Sequence, residues 1–532
     1  MTTNSCLHTV LFRCDASTAI GIGHLSRCRS LARSFQTCGC RVIFLCRLHS
    51  DSLHQQMLES EFELVNLTPH SLPLVDVSKS PYLKWLGCDQ QQDAQDCIQA
   101  CRRLALVRID FVVVDHYALD YQWEEQIRDH LSPSQMLAID DLADRTHAVD
   151  LLLDSGRTNS WNDHSYDDLV AKNCLLLLGP CYSLLDSEYL QFRKLTTVRS
   201  RIDRVLVFFG GVDQDNWCSL ALQALKYMNF SHLNVDVVLG GGAPHLSTIR
   251  GIIDSNPRWS LHVGIPCLAR LASQADIAIG AGGVHSWERA CLGLPAIVVA
   301  IAENQENLLN ELDSLGVVKL IRQQHGKNAV AAFIDILSTL VQQPSLLTLM
   351  SETASQVVDG YGINRITSIL LGTTAPFLLR PAQVLDLGLY FWWATDPSVR
   401  QASLQTSNFS ILAHSQWFMS KLNSVNTLLR ILIDDNGMPL GQIRFERASS
   451  SSSSAVISLS LDRHFRGQGL SPLLLSLGLD ELTRCWGSGI TVLAQVKADN
   501  EASEHLFTAA GFRELDASAQ GVRCFVLSPK IS

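Results

Sequence analysis

Several features that would place a protein in a special class are missing from this sequence. No apolar run approaches the roughly 18 residues of a membrane-spanning helix, and the start, MTTNSCLHTVLFRCDAS, has no basic segment leading into a long apolar core. The expectation is a cytoplasmic protein without a membrane partner. Basic charge is in deficit: 42 Lys and Arg against 52 Asp and Glu leave a formal net charge of −10. Nucleic acid is therefore not an expected partner. The 16 cysteines are scattered, and neither Cys38 with Cys40 nor Cys97 with Cys101 forms the paired Cys-x-x-Cys sets of a zinc site. Reduced thiols and no metal are expected. A short-period repeat is also lacking. What is present is an ordinary globular composition, 47% hydrophobic, 18% charged and 7% aromatic over 532 residues. At about 150 residues per domain, that length holds three or four domains.

From Thr9 to about Ser155, short apolar runs (TVLFR, RVIFL, FVVVD, MLAID) alternate with helical patterns. Strands that are apolar almost throughout and separated by helices predict a parallel sheet covered on both faces. The rhythm restarts at RVLVFFGG (204–211) and continues through VDVVLGGG, DIAIGAGG and PAIVVAIA. The expected fold class is thus α/β, with two doubly wound Rossmann-like domains over 1–195 and 196–371. GTTAPFLLRPAQ (372–383) has the composition of a linker. After it, adjoining strands around an Asp-Asn-Gly turn, a six-serine run placed in an exposed loop, and a strand–helix–strand–helix–strand sequence predict an α+β module over 384–532.

The chemistry-bearing residues cluster where strands give way to helices. Phe12-Arg13-Cys14-Asp15 is followed by Gly21-Ile22-Gly23-His24 and Arg27. Glycines there let the backbone approach an anion, whereas Ser26 at the third glycine position disfavours a dinucleotide. His24 sits where a ligand would lie; a lone histidine is more often structural, and the glycine turn raises its candidacy as an acid or base. Gly210-Gly211-Val212-Asp213 and Gly282-Gly283-Val284-His285-Ser286-Trp287-Glu288 repeat the theme. These are tight turns in their plainest reading, yet all fall at strand C-terminal ends, where open α/β sheets bind ligands. Glu288 could accept both hydroxyls of a ribose, and Asn304-Gln305 adds an amide pair at the same edge.

Together with Asp115-His116-Tyr117, Asp140-Asp141, Gly179-Pro180-Cys181-Tyr182, Trp287-Glu288-Arg289 and Asn304-Gln305, these turns resemble the UDP-sugar hydrolase of pseudaminic acid biosynthesis, over about residues 8–370. The resemblance implies a glycosyltransferase-B fold and release of UDP from UDP-2,4-diacetamido-2,4,6-trideoxy-β-L-altropyranose. It makes His24 the base that activates water, with Tyr117 and Asn304 beside it and Glu288 on the uridine ribose. Gly210, Gly211, Gly283 and Ser286 would face the diphosphate, and Ile265 and Leu268 the uracil through their backbone. Arg13, Asp15, Gly21, Gly23, Asp213, Gly282 and Gln305 complete the implied substrate set. A UDP-sugar glycosyltransferase is the enzymatic alternative, because fold and uridine site would be the same.

In the last module, His464-Phe465-Arg466-Gly467-Gln468-Gly469-Leu470 stands between a strand and a long helix, a setting suited to a pyrophosphate. With Asn500-Glu501-Ala502-Ser503 and Phe507-x-x-x-Gly511-Phe512 it resembles the GNAT acetyltransferases. That implies acetyl-CoA as cosubstrate, held by Leu459, Leu461, Arg466, Gly467, Gln468, Gly469, Leu470 and Asn500. Two positions depart from the family pattern: His464 replaces Gln or Arg, and Phe507 stands where many relatives have a tyrosine that protonates the departing thiolate. Asp386, Trp392, Trp393, Asp396, Pro397, His414 and Trp417 resemble the pseudaminic-pathway N-acetyltransferase, which implies acetylation of a UDP-4-amino sugar. A non-catalytic acetyl-CoA sensor is the alternative that Phe507 favours.

Overall fold

The computed structural model describes residues 8–15, 20, 23–47, 61–67, 82–157, 163–228, 232–283, 285–302, 305–322, 327–407, 409–515 and 521–529. They form two compact units, Met1–Ile363 and Asn364–Ser532. The first unit contains two sheets. β1 (Thr9–Cys14), β2 (Arg41–Cys46), β3 (Glu63–Asn66), β4 (Phe111–Asp115), β5 (Gln135–Ile139), β6 (Leu151–Asp154) and β7 (Leu175–Leu178) make one sheet in the order β3-β2-β1-β4-β5-β6-β7. All its pairings are parallel. β8 (Arg204–Phe208), β9 (Asn234–Leu239), β10 (Trp259–Val263), β11 (Ile277–Ala281), β12 (Ala296–Val299) and β13 (Val318–Ile321) make the other, ordered β10-β9-β8-β11-β12-β13 and again parallel. In each sheet the order reverses beside the first strand, between β1 and β4 and between β8 and β11. Such a switch point opens a crevice at the strand C-termini.

The two doubly wound units expected from the apolar runs are present. Their central strands are buried from end to end, as in FVVVD of β4 and IAIGA of β11. The helix Gly23–Thr37 turns Leu25, Cys28, Leu31, Ala32 and Phe35 inward, a spacing of three and four that keeps one face on the sheet. Phe35 meets Phe12 edge-on, and Phe12 stacks on Phe44 at 4.9 Å, locking the helix over β1 and β2. None of the described cysteines is in a disulfide. Among the described residues, no single helix is long and apolar enough to cross a membrane.

The second unit holds a mixed sheet of β14 (Leu378–Pro381), β15 (Thr427–Ile433), β16 (Pro439–Glu446), β17 (Ser454–Leu461), β18 (Thr491–Lys497), β19 (Arg513–Glu514) and β20 (Val522–Leu527), in the order β14-β15-β16-β17-β18-β20-β19. Among the described strands of this sheet, only β17 and β18 pair in parallel. Of the six serines, 449–453 lie in the loop between β16 and β17 and Ser454 opens β17.

Three boundaries differ from the sequence reading. The stretch read as a linker supplies β14, which pairs antiparallel with β15 from Leu378–Ile433 to Pro381–Arg430; an edge strand leaves one side free of ladder bonds and so tolerates Pro381. The helix Gly362–Leu371, read as closing the second Rossmann-like domain, extends into the second unit. There the fully buried Arg365 lies 5.5 Å from the ring centroid of Trp392 and close to Asp462. The helix Ser187–Arg193, placed before the 195/196 boundary, packs with the second sheet instead: Arg193 donates to the carbonyls of Cys291 and Ser355.

Candidate active sites

At the β1/β4 switch point, the first turn of the helix Gly23–Thr37 presents His24 to the end of β4. Asp115, the last residue of that strand, is fully buried, and its Oδ1 lies 2.6 Å from His24 Nδ1. Arg27, one turn on, donates Nε and Nη2 to the two oxygens of Asp115 at 2.6 and 2.7 Å, and Nη1 to both oxygens of Asp141 at 2.9 and 2.8 Å. Tyr117 donates its hydroxyl to Asp141 at 2.7 Å, and its ring stands edge-on to His24 with centroids 4.6 Å apart. The result is one connected chain, His24–Asp115–Arg27–Asp141–Tyr117. Burial alone would raise the Asp115 carboxyl, but the Arg27 and His24 charges outweigh it and hold the group far below the usual carboxylate range. Burial and the Asp141 charge push the Tyr117 phenol well above its ordinary value. With Nδ1 committed to Asp115, the His24 nitrogen left for proton transfer is Nε2.

Arg13 and Asp15, expected to contact substrate, lie beneath this chain. Arg13 is 1% exposed, donating Nη1 to Asp15 and both Nε and Nη2 to Asp93. Asp93 also accepts from Trp123 Nε1 and Arg47, and Asp15 from the Arg47 backbone. These two are corrected to positioning groups: paired charges this deeply buried have no polar edge left for a ligand. Asp140 is likewise committed, accepting from Arg145 and from the backbone N–H groups of residues 141–143. Gly23 opens the helix and is exposed. Gly21 and Asn304 lie outside the described residues. The contributions of Asp115, Arg27 and Asp141 were missed as site residues. The available signal was, for Asp115 and Asp141, charged residues at the ends of consecutive strands, and for Arg27 its place one helical turn after His24.

At the β8/β11 switch point, Gly210 (φ 98°) and Gly283 (φ 84°) adopt the left-handed conformation that glycine permits. The loops after β8 and β9 touch where Gly240 N donates to the Gly211 carbonyl at 2.7 Å. Asp213 spends both oxygens on the backbone N–H groups of Trp217 and Cys218, capping the helix Trp217–Tyr227. Gly282 is crowded by Leu309, and Gln305 reaches toward Gly283 while its Oε1 accepts from Ile301 N. Ser286 is buried, and its hydroxyl accepts from Arg289 at 3.2 Å, leaving its own proton to donate. Glu288 Oε2 is 2.7 Å from His285 Nδ1, and Tyr189 also bonds this carboxylate. Burial would raise Glu288, but the His285 charge and these hydrogen bonds carry it below the usual range. Tyr189, Phe208, Leu268, His285, Glu288 and Arg289 line one small pocket, with Ile265 partly buried alongside. Asp186, Glu188 and Cys267 bring their ligand atoms within 4.8 Å of one another, but Asp186 is already paired with Arg33.

In the second unit, Gly467 and Gly469 both have φ 76° and are exposed with Gln468 ahead of the helix Leu470–Trp486. Arg466 ties this loop down through the Leu461 carbonyl, Ser398 and Asp396. β17 and β18 pair only from Ser454–Thr491 to Ile457–Ala494, although β17 runs on to Leu461 and β18 to Lys497. Beyond that point they part, so Leu459 and Leu461 border an opening between two strands where an extended ligand can add main-chain hydrogen bonds. Asn500 caps the next helix by accepting from Ser503 N at 3.1 Å. Phe507 is buried, 5.0 Å from Phe512 and 6.4 Å from Phe525. Burial and the neighbouring arginines hold His464 down at about 3, so it is neutral.

The chain is 26% identical over 208 residues to the spore coat polysaccharide biosynthesis protein SpsG of Bacillus subtilis, a match covering 38% of this chain and 59% of that protein. It is 19% identical over 444 residues to the uncharacterized protein MJ1062 of Methanocaldococcus jannaschii, covering 82% and 83%. Among solved structures, Acinetobacter baumannii MurG superposes with a TM-score of 0.46 at 15% identity, over 68% of this chain and 99% of that one. Residues 377–513 match the family described as Acetyltransferase (GNAT) domain, so the chain joins a GNAT acetyltransferase domain to a pair of Rossmann-like sheets.

Proposed function

We propose that the chain is a bifunctional nucleotide-sugar enzyme. The acetyltransferase unit N-acetylates the 4-amino group of a UDP-4-amino sugar with acetyl-CoA. The first unit hydrolyses the acetylated product, UDP-2,4-diacetamido-2,4,6-trideoxy-β-L-altropyranose, to free sugar and UDP. The observation that carries the hydrolytic half is His24 held through Nδ1 by a buried, ionised Asp115. This leaves Nε2 to accept a proton from water as its oxygen bonds to the anomeric carbon and the bond to UDP breaks. Ser286 and the backbone around Gly210 and Gly283 would stabilise the departing diphosphate, and Glu288 would accept the ribose hydroxyls. In the second unit, the Gly467–Gly469 loop would hold the pyrophosphate of acetyl-CoA. The amine nitrogen attacks the thioester carbonyl, the C–S bond breaks, the nitrogen loses one proton, and the thiolate gains one from solvent. Phe507 has none to give.

An NMR time course of the purified chain with the UDP-4-amino sugar, with and without acetyl-CoA, tests both halves. N-acetylated nucleotide sugar followed by free sugar and UDP, only with acetyl-CoA, is the expected result. His24→Ala should stop the sequence at the acetylated nucleotide sugar, slowing hydrolysis roughly 10² to 10⁴-fold; normal release of UDP by that variant would remove His24 from the mechanism.

A further inference from the structure

One face of the third sheet changes character partway across. Directly opposed residues in neighbouring strands point to the same side, and the register aligns Ile431 with Gln442 and Ser460, and Leu429 with Arg444 and Ser458. At the β15 end this face is apolar: Leu429 and Ile431 pack with Leu387, Tyr390, Trp393 and Phe418. Across β16 and β17 it becomes Gln, Arg and Ser. The pair Val456–Leu493 carries the same face to Gln495 and Lys497 of β18. The opposite face is covered in the usual way, with Gly478 of the helix Leu470–Trp486 set against Ile443.

The polar stretch is poised for hydrogen bonding. Gln442 donates Nε2 to Ser460 at 3.2 Å, while its Oε1 is buried with no partner, a position that calls for a donor. The guanidinium of Arg444 lies 5.0 Å from the Trp417 ring centroid, and Lys497 donates to the Gln401 carbonyl at 2.7 Å. Glu446, the carboxylate among these aligned residues, is paired with both Lys421 and Arg444. Ser458 and Ser460 lie on the part of β17 that has separated from β18, beside the opening between these two strands.

Resting on the acetyltransferase reading given above, we propose that Gln442, Ser458 and Ser460 form the acceptor subsite of this unit and select a hydroxylated, phosphate-bearing amine over a polyamine. A sugar hydroxyl supplies the donor that Gln442 Oε1 lacks, the serines meet further hydroxyls, and Arg444 and Lys497 favour negative charge. A polyamine would meet two cations and no unpaired carboxylate among these residues, a repulsive selection.

The test is acetyl-CoA-dependent thiol release by the full chain with UDP-4-amino-4,6-dideoxy-N-acetyl-β-L-altrosamine and with spermidine, for the wild type, Gln442→Leu and Ser460→Ala. The expected result is preference for the sugar amine by the wild type and a KM for it raised about tenfold in Gln442→Leu, with kcat and the Kd for acetyl-CoA within twofold. Should Gln442→Leu lose acetyl-CoA binding, Ser460→Ala, expected to raise KM a few-fold, carries the test. A wild type active on the sugar amine with KM unchanged in both variants overturns the subsite and leaves the acetyltransferase reading standing. Preference for spermidine, or turnover of neither amine while acetyl-CoA still binds, overturns both.

Discussion

Asp115→Asn isolates the group on which the proposed hydrolytic site is built. The carboxylate is fully buried, and it receives Arg27 Nε and Nη2 at 2.6 and 2.7 Å and faces His24 Nδ1 at 2.6 Å. The amide keeps the shape but replaces one acceptor oxygen with a donor, so either Arg27 or His24 meets an N–H group head-on. Hydrogen bonds to charged groups contribute about 1.5–3 kcal/mol each. Unpairing a buried ion costs about 3–5 kcal/mol. Arg27 keeps its two bonds to Asp141, which places the loss near the lower end, about 3 kcal/mol. The effect on rate is separate: without the carboxylate, His24 is free to take the tautomer with its proton on Nε2, where it cannot act as a base, and turnover should fall by about 10³. UDP release from the diacetamido nucleotide sugar measures the rate, and urea denaturation followed by tryptophan fluorescence measures the stability. Hydrolysis within threefold of the wild type would refute the argument, because the buried carboxylate would then have no part in setting the histidine.

Further outcomes concern pH and the acetyltransferase unit. Burial would lower His147, but the Asp140 carboxylate 3.8 Å from its Nε2 and its hydrogen bond to Glu124 raise it to about 9. Its stabilisation is therefore complete below the unfolded value near 6.5 and lost as pH rises through about 9, on the order of 3 kcal/mol. Comparing denaturation midpoints at pH 6 and 9.5 should show a smaller drop for His147→Gln than for the wild type, and an equal drop would contradict the assignment. Gly467→Ala forces a side chain into φ 76°, costs about 1–2 kcal/mol, and should weaken acetyl-CoA roughly tenfold by calorimetry; unchanged affinity would mean the loop does not hold the pyrophosphate. Phe507→Tyr supplies a phenol where none exists and should raise kcat for acetyl transfer about tenfold, whereas an unchanged kcat would show that solvent protonates the thiolate unaided.

The local patterns were legible because each is a short-range property. Runs such as FVVVD and IAIGA are what a parallel sheet covered on both faces buries end to end, and the Asp-Asn-Gly turn joins its two strands as a hairpin. His24 and Glu288 stood out because they fall at strand-to-helix turns and Tyr117 through the family resemblance alone, and the structure brings His24 and Tyr117 into one cluster. The linker reading of 372–383 failed because Pro381 and the threonines argue locally for a loop, while the ladder bonds that make β14 come from β15, some fifty residues on. Arg13 and Asp15 looked like ligand contacts because the chain alone cannot reveal that Asp93 and Arg47, distant in sequence, close over them. The same limit hid the pairing of His24 with Asp115, 91 positions apart. The sequence by itself determined the central strands and where the glycine turns fall, since periodicity and turn chemistry act over a few residues. Tertiary structure alone decided which charges are spent on one another and which remain for a substrate, because that depends on what the fold buries together.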